Sequence, residues 1–584
     1  MNCFLDTKKG IEPSIKIIEG IKNLVFPSLK GEKSVYIKKG RNEFRLLPLY
    51  MGFDIETTAG ADQRCAYMYT AAFCVASVKE CYLYIFRSWD DVLFFLEEFS
   101  HRFDLNEKRK VLCGVANLNY EYSFIKKIFP IDPDNSFAKG PQDILYFESF
   151  FIRFMDVLPI TGGNLAYLAR NFTTTQKMSG DLDYTKKRNS KTPLTPEEWG
   201  YIYNDVIILS EYMYYLFDTI IKPGKYIPLT KTGILRKKNR KNGEKELMEQ
   251  WEIYKGLINK AFPSYNDYFV WFEYLFRGGY VHANIFHIDE LLRGILSFDR
   301  VSAYPAEMLF NDGFPLTPFR EEDPARWPER ISTHACIMDC IFYNLENITN
   351  HSIESSNKCI ELLDPVLDNG RIRKASRVRV LITEQDFFNY QDFYKWEKLE
   401  VLRLQTSERG RLPKFLLETL ADSYRGKTLL KKQGKKDSPE YAIKKEEVNS
   451  NYGMLVTRIR KESYKYDPEL MDFIASDTDF DFDKEVKRSF LLPQWGIWVT
   501  AFQRRNLLQL FRKIENVRLN AVCYGDTDSC KCEDIPGIKE LIKEYNREIR
   551  EKRIASGWTD PVFESLGEYE HEATYDLFKR SEEH

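Results

Sequence analysis

Net charge is nearly absent from this 584-residue chain: 85 Lys and Arg stand against 87 Asp and Glu, leaving −2. No chain-wide field therefore points to a polyanionic partner, and any nucleic-acid surface must come from local clusters. No uncharged apolar run reaches membrane-spanning length, so the chain is expected to be soluble, with no membrane partner. The opening Met1-Asn2-Cys3-Phe4-Leu5-Asp6 lacks a basic segment leading into an apolar run, so no signal peptide is expected. The 11 Cys are scattered. Cys336/Cys340 and Cys530/Cys532 are near pairs, but neither has a second pair at zinc-ribbon spacing. Free thiols in a reducing compartment are the expectation. The chain does have length and apolar content. Its 43% hydrophobic and 15% aromatic residues suffice for several domains with sizeable cores.

The acids carry the chemistry. Tyr524-Gly525-Asp526-Thr527-Asp528-Ser529 places two carboxylates one residue apart in a tight turn between β-prone runs. Such a pair repels itself unless it holds a cation; an ordinary Asp-rich loop is the alternative. Leu46 to Thr58 reads as a buried strand with Asp54 and Glu56 on one face, either metal-bound or at an exposed edge. Val111 to Ile125 reads as strand, turn and helix start, with Glu121 where the helix opens, a position that the helix dipole alone favours. Trp199 to Leu209 reads as an amphipathic helix with Tyr201 and Asp205 four apart, or simply a core Tyr beside a surface Asp. Further on, Lys231 to Lys245 is basic and Gly-punctuated, expected as a linker or loop, beside a phosphate backbone or merely solvated. In Lys445 to Gly453, Lys445, Asn449 and Tyr452 share one helical face suited to a triphosphate and a base, or to solvent.

Taken in order, these segments resemble a family B DNA polymerase of the protein-primed type. Acid-x-acid, the acid at a helix start and Tyr-x-x-x-Asp resemble the three motifs of its DnaQ-like 3′–5′ exonuclease. That resemblance implies an α/β, RNase H-like domain in which Asp54, Glu56, Glu121 and Asp205 are metal ligands and Tyr201 orients the attacking water. Asn117 and Phe124 match the second motif's Asn and aromatic, as DNA contacts; the family usually has Asp in place of Glu121. Lys177-Met178-Ser179-Gly180-Asp181-Leu182-Asp183-Tyr184 resembles the family's Lys-Gly-Asp-Ile-Asp-Tyr segment, with Ser179 at the Lys position and Lys177 two residues earlier. Phe276-Arg277-Gly278-Gly279-Tyr280 resembles its Tyr-x-Gly-Gly link, with Arg277, Gly278 and Gly279 against DNA. Phe298-Asp299-Arg300-Val301-Ser302-Ala303-Tyr304-Pro305 resembles motif A. Asp299 and the Arg300 carbonyl are implied metal ligands, and Tyr304 would exclude a 2′-hydroxyl. Lys445 to Gly453 resembles motif B, with Lys445 on the phosphates and Asn449 and Tyr452 at the nascent pair. The opening turn resembles motif C, with Asp528 and Asp526 as ligands. Asp299 and Asp528 are the implied catalytic pair.

The resemblance implies a polymerase palm of antiparallel sheet with helices, helical fingers and an incomplete thumb. The expected organisation is an N-terminal extension (1–45), the exonuclease (46–225), a connecting segment (226–290), and palm and fingers (291–310 and 413–567). An insertion (311–412) resembles the terminal-protein-binding region, and a second (456–492) a strand-displacement hairpin. Residues 568–584 resemble the start of the thumb, without the family's Lys-x-Tyr. The helix after Pro493 is expected behind the palm, with Thr500 and Arg504 as DNA contacts. Two Mg²⁺ per site, with Mn²⁺ able to substitute, a primer-template, deoxynucleoside triphosphates and a terminal protein primer are the implied cofactors and partners. A monomer in a host cell's cytoplasm is expected. An exonuclease alone, or a non-catalytic nucleic-acid-binding remnant, are the competing readings.

Overall fold

The hydrophobic run around Leu46–Ile55 lies in the middle of a long strand, β3 (Asn42–Ala59), which pairs with three other strands. The computed structural model describes residues 15–39, 42–59, 65–178, 186–287, 290–459, 464–475 and 480–578. These form two compact units. The first lies within 1–234, 436–442 and 460–480, and the second within 235–435, 443–459 and 481–584.

The first unit is an α/β unit built on one mixed 11-stranded sheet. Besides β3 it contains β1 (Ile15–Glu19), β2 (Val35–Lys39), β4 (Ala66–Ala76), β5 (Cys81–Phe86), β6 (Arg109–Val115), β7 (Asp132–Ala138), β8 (Ile144–Ser149) and β9 (Ile152–Asp156). β3 pairs antiparallel with β4 and parallel with β6, which pairs parallel with β9. Within the segment expected as an N-terminal extension (1–45), the described strands join this sheet: β1 lies on β5 and β2 on β3. Two helices matter here, α1 (Leu118–Ile125) and α2 (Pro196–Leu216). α2 opens on a Thr195/Glu198 capping box with Pro196 in its first turn. It comes very close to β3 at Gly52, where a Cβ would lie 2.6 Å from Leu209 Cβ and from the Val206 carbonyl. Of segment 456–492, residues 464–475 form a hairpin, Tyr464–Asp467 with Asp472–Ala475, which joins this sheet beside β7, while Phe482–Arg488 is a helix of the second unit.

The second unit is organised on a five-stranded sheet ordered β10 (Val281–Ala283), β12 (Val522–Asp526), β13 (Ser529–Glu533), β11 (Ile295–Arg300) and β14 (Tyr569–Tyr575). All neighbours are antiparallel. β14 lies in the segment expected as thumb, yet it completes this sheet along β11. The stretch expected as a linker is instead the helix α3 (Lys231–Leu247). Tertiary contacts override its two glycines: Gly243 packs under Trp251, Asn242 donates to Thr419 at 2.8 Å, and Lys238 pairs with Glu447 at 2.7 Å. Next come α4 (Ala303–Phe310), α5 (Lys414–Lys432), α6 (Pro439–Leu455) and the long α7 (Pro493–Val517). α7 backs the sheet, and Gly525 leaves room for the Phe511 ring, which a Cβ would meet at 2.4 Å. Most of the insertion between α4 and α5 is a seven-stranded antiparallel sheet within residues 320–407.

Candidate active sites

In the first unit β3 carries Asp54 and Glu56, α1 carries Glu121 in its first turn, and α2 carries Tyr201 and Asp205. These four carboxylates form one electrostatic cluster. Burial, then Glu56, Glu121 and Asp205, hold Asp54 well above the usual carboxylate range. Burial and Asp205 push Glu56 up to about 8, and burial with Asp156 and Glu56 pushes Glu121 up to about 8. Lys177 enters this cluster: its Nζ donates to Asp205 Oδ2 at 2.7 Å and to the Tyr201 hydroxyl at 3.1 Å. Burial works against its charge, but Asp205 and Tyr201 outweigh burial and hold it protonated. Residues 179–184, the rest of that segment, lie outside the described residues.

Asn117 begins α1 in a left-handed conformation (φ 63°), which Asn tolerates better than most residues. Behind it Asp156, at the end of β9, accepts from the Leu118 amide at 3.1 Å and the Leu158 amide at 2.9 Å. Beside Phe124, α1 carries a second aromatic, Tyr120, nearer the acids. The Tyr120 hydroxyl bonds Thr57 Oγ1 on the acid strand and its ring is exposed, whereas Phe124 packs against the core behind it, 5.3 Å away. The spacing from Asn117 and the adjacency to Glu121 could have picked out Tyr120.

In the second unit Asp299 ends β11, opposite Ser529 of β13, and the Arg300 amide donates to the Asp528 carbonyl at 3.0 Å. Burial, Asp299 and Asp526 push Asp528 up to about 6. Burial with Glu572 and Glu570 raises Asp299, against Lys531. The two glutamates come from β14 and were not foreseen. Asp526 is steadied by the Tyr524 hydroxyl at 3.3 Å and Thr527 Oγ1 at 3.1 Å. The turn's Thr527 is left-handed (φ 56°), a strained state for a β-branched residue. It is held there by its amide on the Tyr280 carbonyl (2.7 Å) and by Gln503 Nε2 on its carbonyl (2.9 Å). Gly279 packs against it, since a Cβ there would sit 2.4 Å from Thr527 Oγ1.

On α4 and α6, Tyr304 and Tyr452 stack with ring centroids 4.3 Å apart. Lys445 and Asn449 lie on the exposed side of α6. A further cation, missed because it sits in a run of similar lysines, is Lys427 of α5. Its Nζ donates to Ser302 Oγ at 2.8 Å, and burial with Lys431 and Lys445 lowers it to about 8. Three expected DNA contacts face inward instead. Arg277 binds Glu354 and the carbonyls of Tyr274, Leu275 and Leu381. Arg504 is paired with Asp386 at 2.8 Å and donates to the Arg277 and Gly278 carbonyls. Thr500 is buried and donates to its own helix at Ile497. Buried guanidiniums are retained where a partner is present, and these already have theirs. Gly278 is exposed with open space over its Cα.

Both carboxylate sets offer the donor type that hard cations take. Their donors are all oxygen, and in the first unit Glu121 Oε2 and Asp205 Oδ1 are buried with no hydrogen-bond partner among the described residues. Among the described residues no group of three or more His, Cys, Asp or Glu side chains is placed to hold a metal ion. No helix among the described residues is long and apolar enough to cross a membrane.

No family model and no curated protein matches the chain. Solved structures do. Phi29 DNA polymerase complexed with single-stranded DNA aligns with a TM-score of 0.66 and 17% identity, covering 91% of this chain and 85% of that one. The same polymerase with primer-template DNA aligns at 0.64 and 16% over the same shares. With primer-template and incoming nucleotides it aligns at 0.62 and 16%, again over those shares. The chain thus has the fold of Phi29 DNA polymerase, a family B polymerase.

Proposed function

We propose that this chain is a DNA-templated DNA polymerase with a 3′–5′ proofreading exonuclease, replicating a linear phage or plasmid genome from a terminal protein primer in a host cell's cytoplasm. The observation that carries the reading is the meeting of Asp299 and Asp528 at adjoining strand ends, with the Tyr304–Tyr452 stack in the same unit. The Phi29 fold supports it, and the separate insertion sheet between α4 and α5 supports the protein-primed branch.

Polymerisation joins the primer 3′-oxygen to the α-phosphorus of the incoming nucleotide and breaks the bond to pyrophosphate. Asp299, Asp528, Asp526 and the Arg300 carbonyl would hold the metal ions, which when bound supply charge neutralisation at the attacking and leaving oxygens. Lys427 and Lys445 receive the triphosphate. Tyr304, braced by Tyr452, closes the space a 2′-hydroxyl needs. In the nuclease, Asp54, Glu56, Glu121 and Asp205 would be the ligands. Tyr201, fixed by Lys177, orients the water that attacks the last phosphodiester's phosphorus as the 3′-oxygen of the penultimate nucleotide leaves.

The test is a labelled, annealed primer incubated with the purified chain and Mg²⁺, with and without the four deoxynucleotides. Elongation with them and shortening without them are expected. Asp528→Ala should abolish elongation alone, and Asp54→Ala shortening alone. Equal loss of both activities in either variant would refute the two-site assignment.

A further inference from the structure

The hairpin Tyr464–Asp467/Asp472–Ala475 lies in sequence between the α6 segment and the Asp526–Asp528 turn, yet it belongs to the first unit and grips α1. α1 is only two turns long and carries Glu121. Its first turn is tied to the sheet by Asp156 on the Leu118 amide, by Asn119 Oδ1 accepting from the Ile144 amide at 2.9 Å and by the Tyr120–Thr57 bond, while Asn117 makes no side-chain cap. The other end is held from the hairpin. Asp472 accepts from the Tyr122 hydroxyl at 3.1 Å and pairs with Lys126 Nζ at 2.5 Å. Tyr122 and Lys126 are four residues apart and share one face of the helix, so one carboxylate crosslinks two successive turns. The Tyr466 hydroxyl donates to the Lys126 carbonyl at 3.2 Å, satisfying a group left open at the helix end. Phe473 packs on the Tyr122 ring at 5.4 Å.

Glu121 neighbours Tyr122 and points away from this clamp into the carboxylate cluster. What the hairpin adds to those first-turn ties is a hold on the second turn against rotation about the helix axis. A turn of about 10° moves a carboxylate ~6 Å from the axis by about 1 Å, enough to cost up to ~100-fold at a reacting centre.

We propose that Asp472 is a positioning residue for the nuclease site. Through Tyr122 and Lys126 it fixes the rotation of α1 and hence the direction of the Glu121 carboxylate. The inference rests on the nuclease reading above. Its consequence is that a segment lying among the polymerase motifs in sequence governs the rate of proofreading.

The test uses the full chain as wild type, Asp472→Ala and Asp472→Glu. Three quantities are read: degradation of a single-stranded oligonucleotide, primer extension on a single-stranded template, and hydrogen exchange of residues 118–125. For Asp472→Ala the maximal degradation rate should fall about tenfold with KM for the oligonucleotide unchanged. Extension should hold, and exchange in α1 should rise about tenfold while β3 stays protected. Asp472→Glu should recover most of the degradation rate. Unchanged exchange, unchanged degradation, or an equal fall in extension would overturn the proposal. A wild-type protein that leaves the oligonucleotide intact while extending the primer would overturn the nuclease reading itself and the inference with it.

Discussion

Gly279→Ala is the sharpest probe of how the Asp526–Asp528 turn is held. The added Cβ would lie 2.4, 2.8 and 2.9 Å from Thr527 Oγ1, Cγ2 and Cβ, about 1 Å short of ordinary contact, which begins at 3.4 Å. Thr527 has little room to yield. Its amide, carbonyl and hydroxyl are all bonded, the last to Asp526, and its backbone is already left-handed. The clash is therefore relieved by moving the turn that carries Asp526 and Asp528. Displacing a reacting group by about 1 Å costs on the order of 100-fold, or about 2.7 kcal/mol of barrier. Overpacking should cost the fold only about 1–3 kcal/mol. The assay is single-turnover incorporation of one nucleotide at saturating substrate, with single-strand degradation by the same preparation as the reference. Incorporation should fall about 100-fold with degradation unchanged. Thr527→Gly, which removes the obstructing side chain and suits the positive φ, should restore most of the loss in the double variant. A Gly279→Ala protein within about threefold of wild type, less than about 1 kcal/mol, would refute the reasoning. So would the absence of rescue.

Gly52→Ala sets a Cβ 2.6 Å from Leu209 Cβ and the Val206 carbonyl. It should destabilise the first unit by about 1–3 kcal/mol in denaturant titration, and an unchanged midpoint would count against the close packing of α2 on β3. Lys427 is charged below about 8 and loses its charge above it. The nucleotide KM should therefore rise as pH passes through that value, and Lys427→Arg should flatten the profile; identical profiles would remove Lys427 from the triphosphate site. Glu56 and Glu121 titrate near 8 in the fold against an ordinary 4.5. Without metal the native state binds more protons than the unfolded chain between those values. Stability should be greatest below about 4.5 and decline as pH rises toward 8, with Mg²⁺ reversing the decline. Melting curves in chelator and in Mg²⁺ that change in parallel with pH would refute the shared cause.

The fold class was legible in the sequence, and so was the grouping of the candidate acids, but not every element that carries them. Asp54/Glu56 and Asp526/Asp528 announce themselves because two acids within three residues of an apolar run are expensive unless something uses them. The Tyr304–Tyr452 stack was not legible: Tyr304 reads as part of a turn after a strand and Tyr452 as part of a distant helix, and only the fold brings the rings together. The strands Ile15–Glu19 and Val35–Lys39 were illegible, because their partners lie elsewhere in the chain and short local periodicity does not name a partner. Lys231–Leu247 misled through its glycines and charge, since its helicity depends on Trp251, Thr419 and Glu447. Arg277 and Arg504 misled in the opposite way. An Arg in a polymerase motif invites a phosphate, but Glu354 and Asp386, far off in sequence, had already taken the charge.

The hairpin on β7 also has a temporal meaning. Tyr122 and Asp472 are 350 residues apart, and synthesis at 5–20 residues per second separates their emergence by about 20 to 70 s. During that interval the β7 edge is without the neighbour that ends up beside it. An unpaired edge invites another strand, including the same edge of a second nascent chain. Expression yield should therefore depend on how soon the later half of the chain arrives, and a first unit cut at residue 234 would leave that edge uncovered for good.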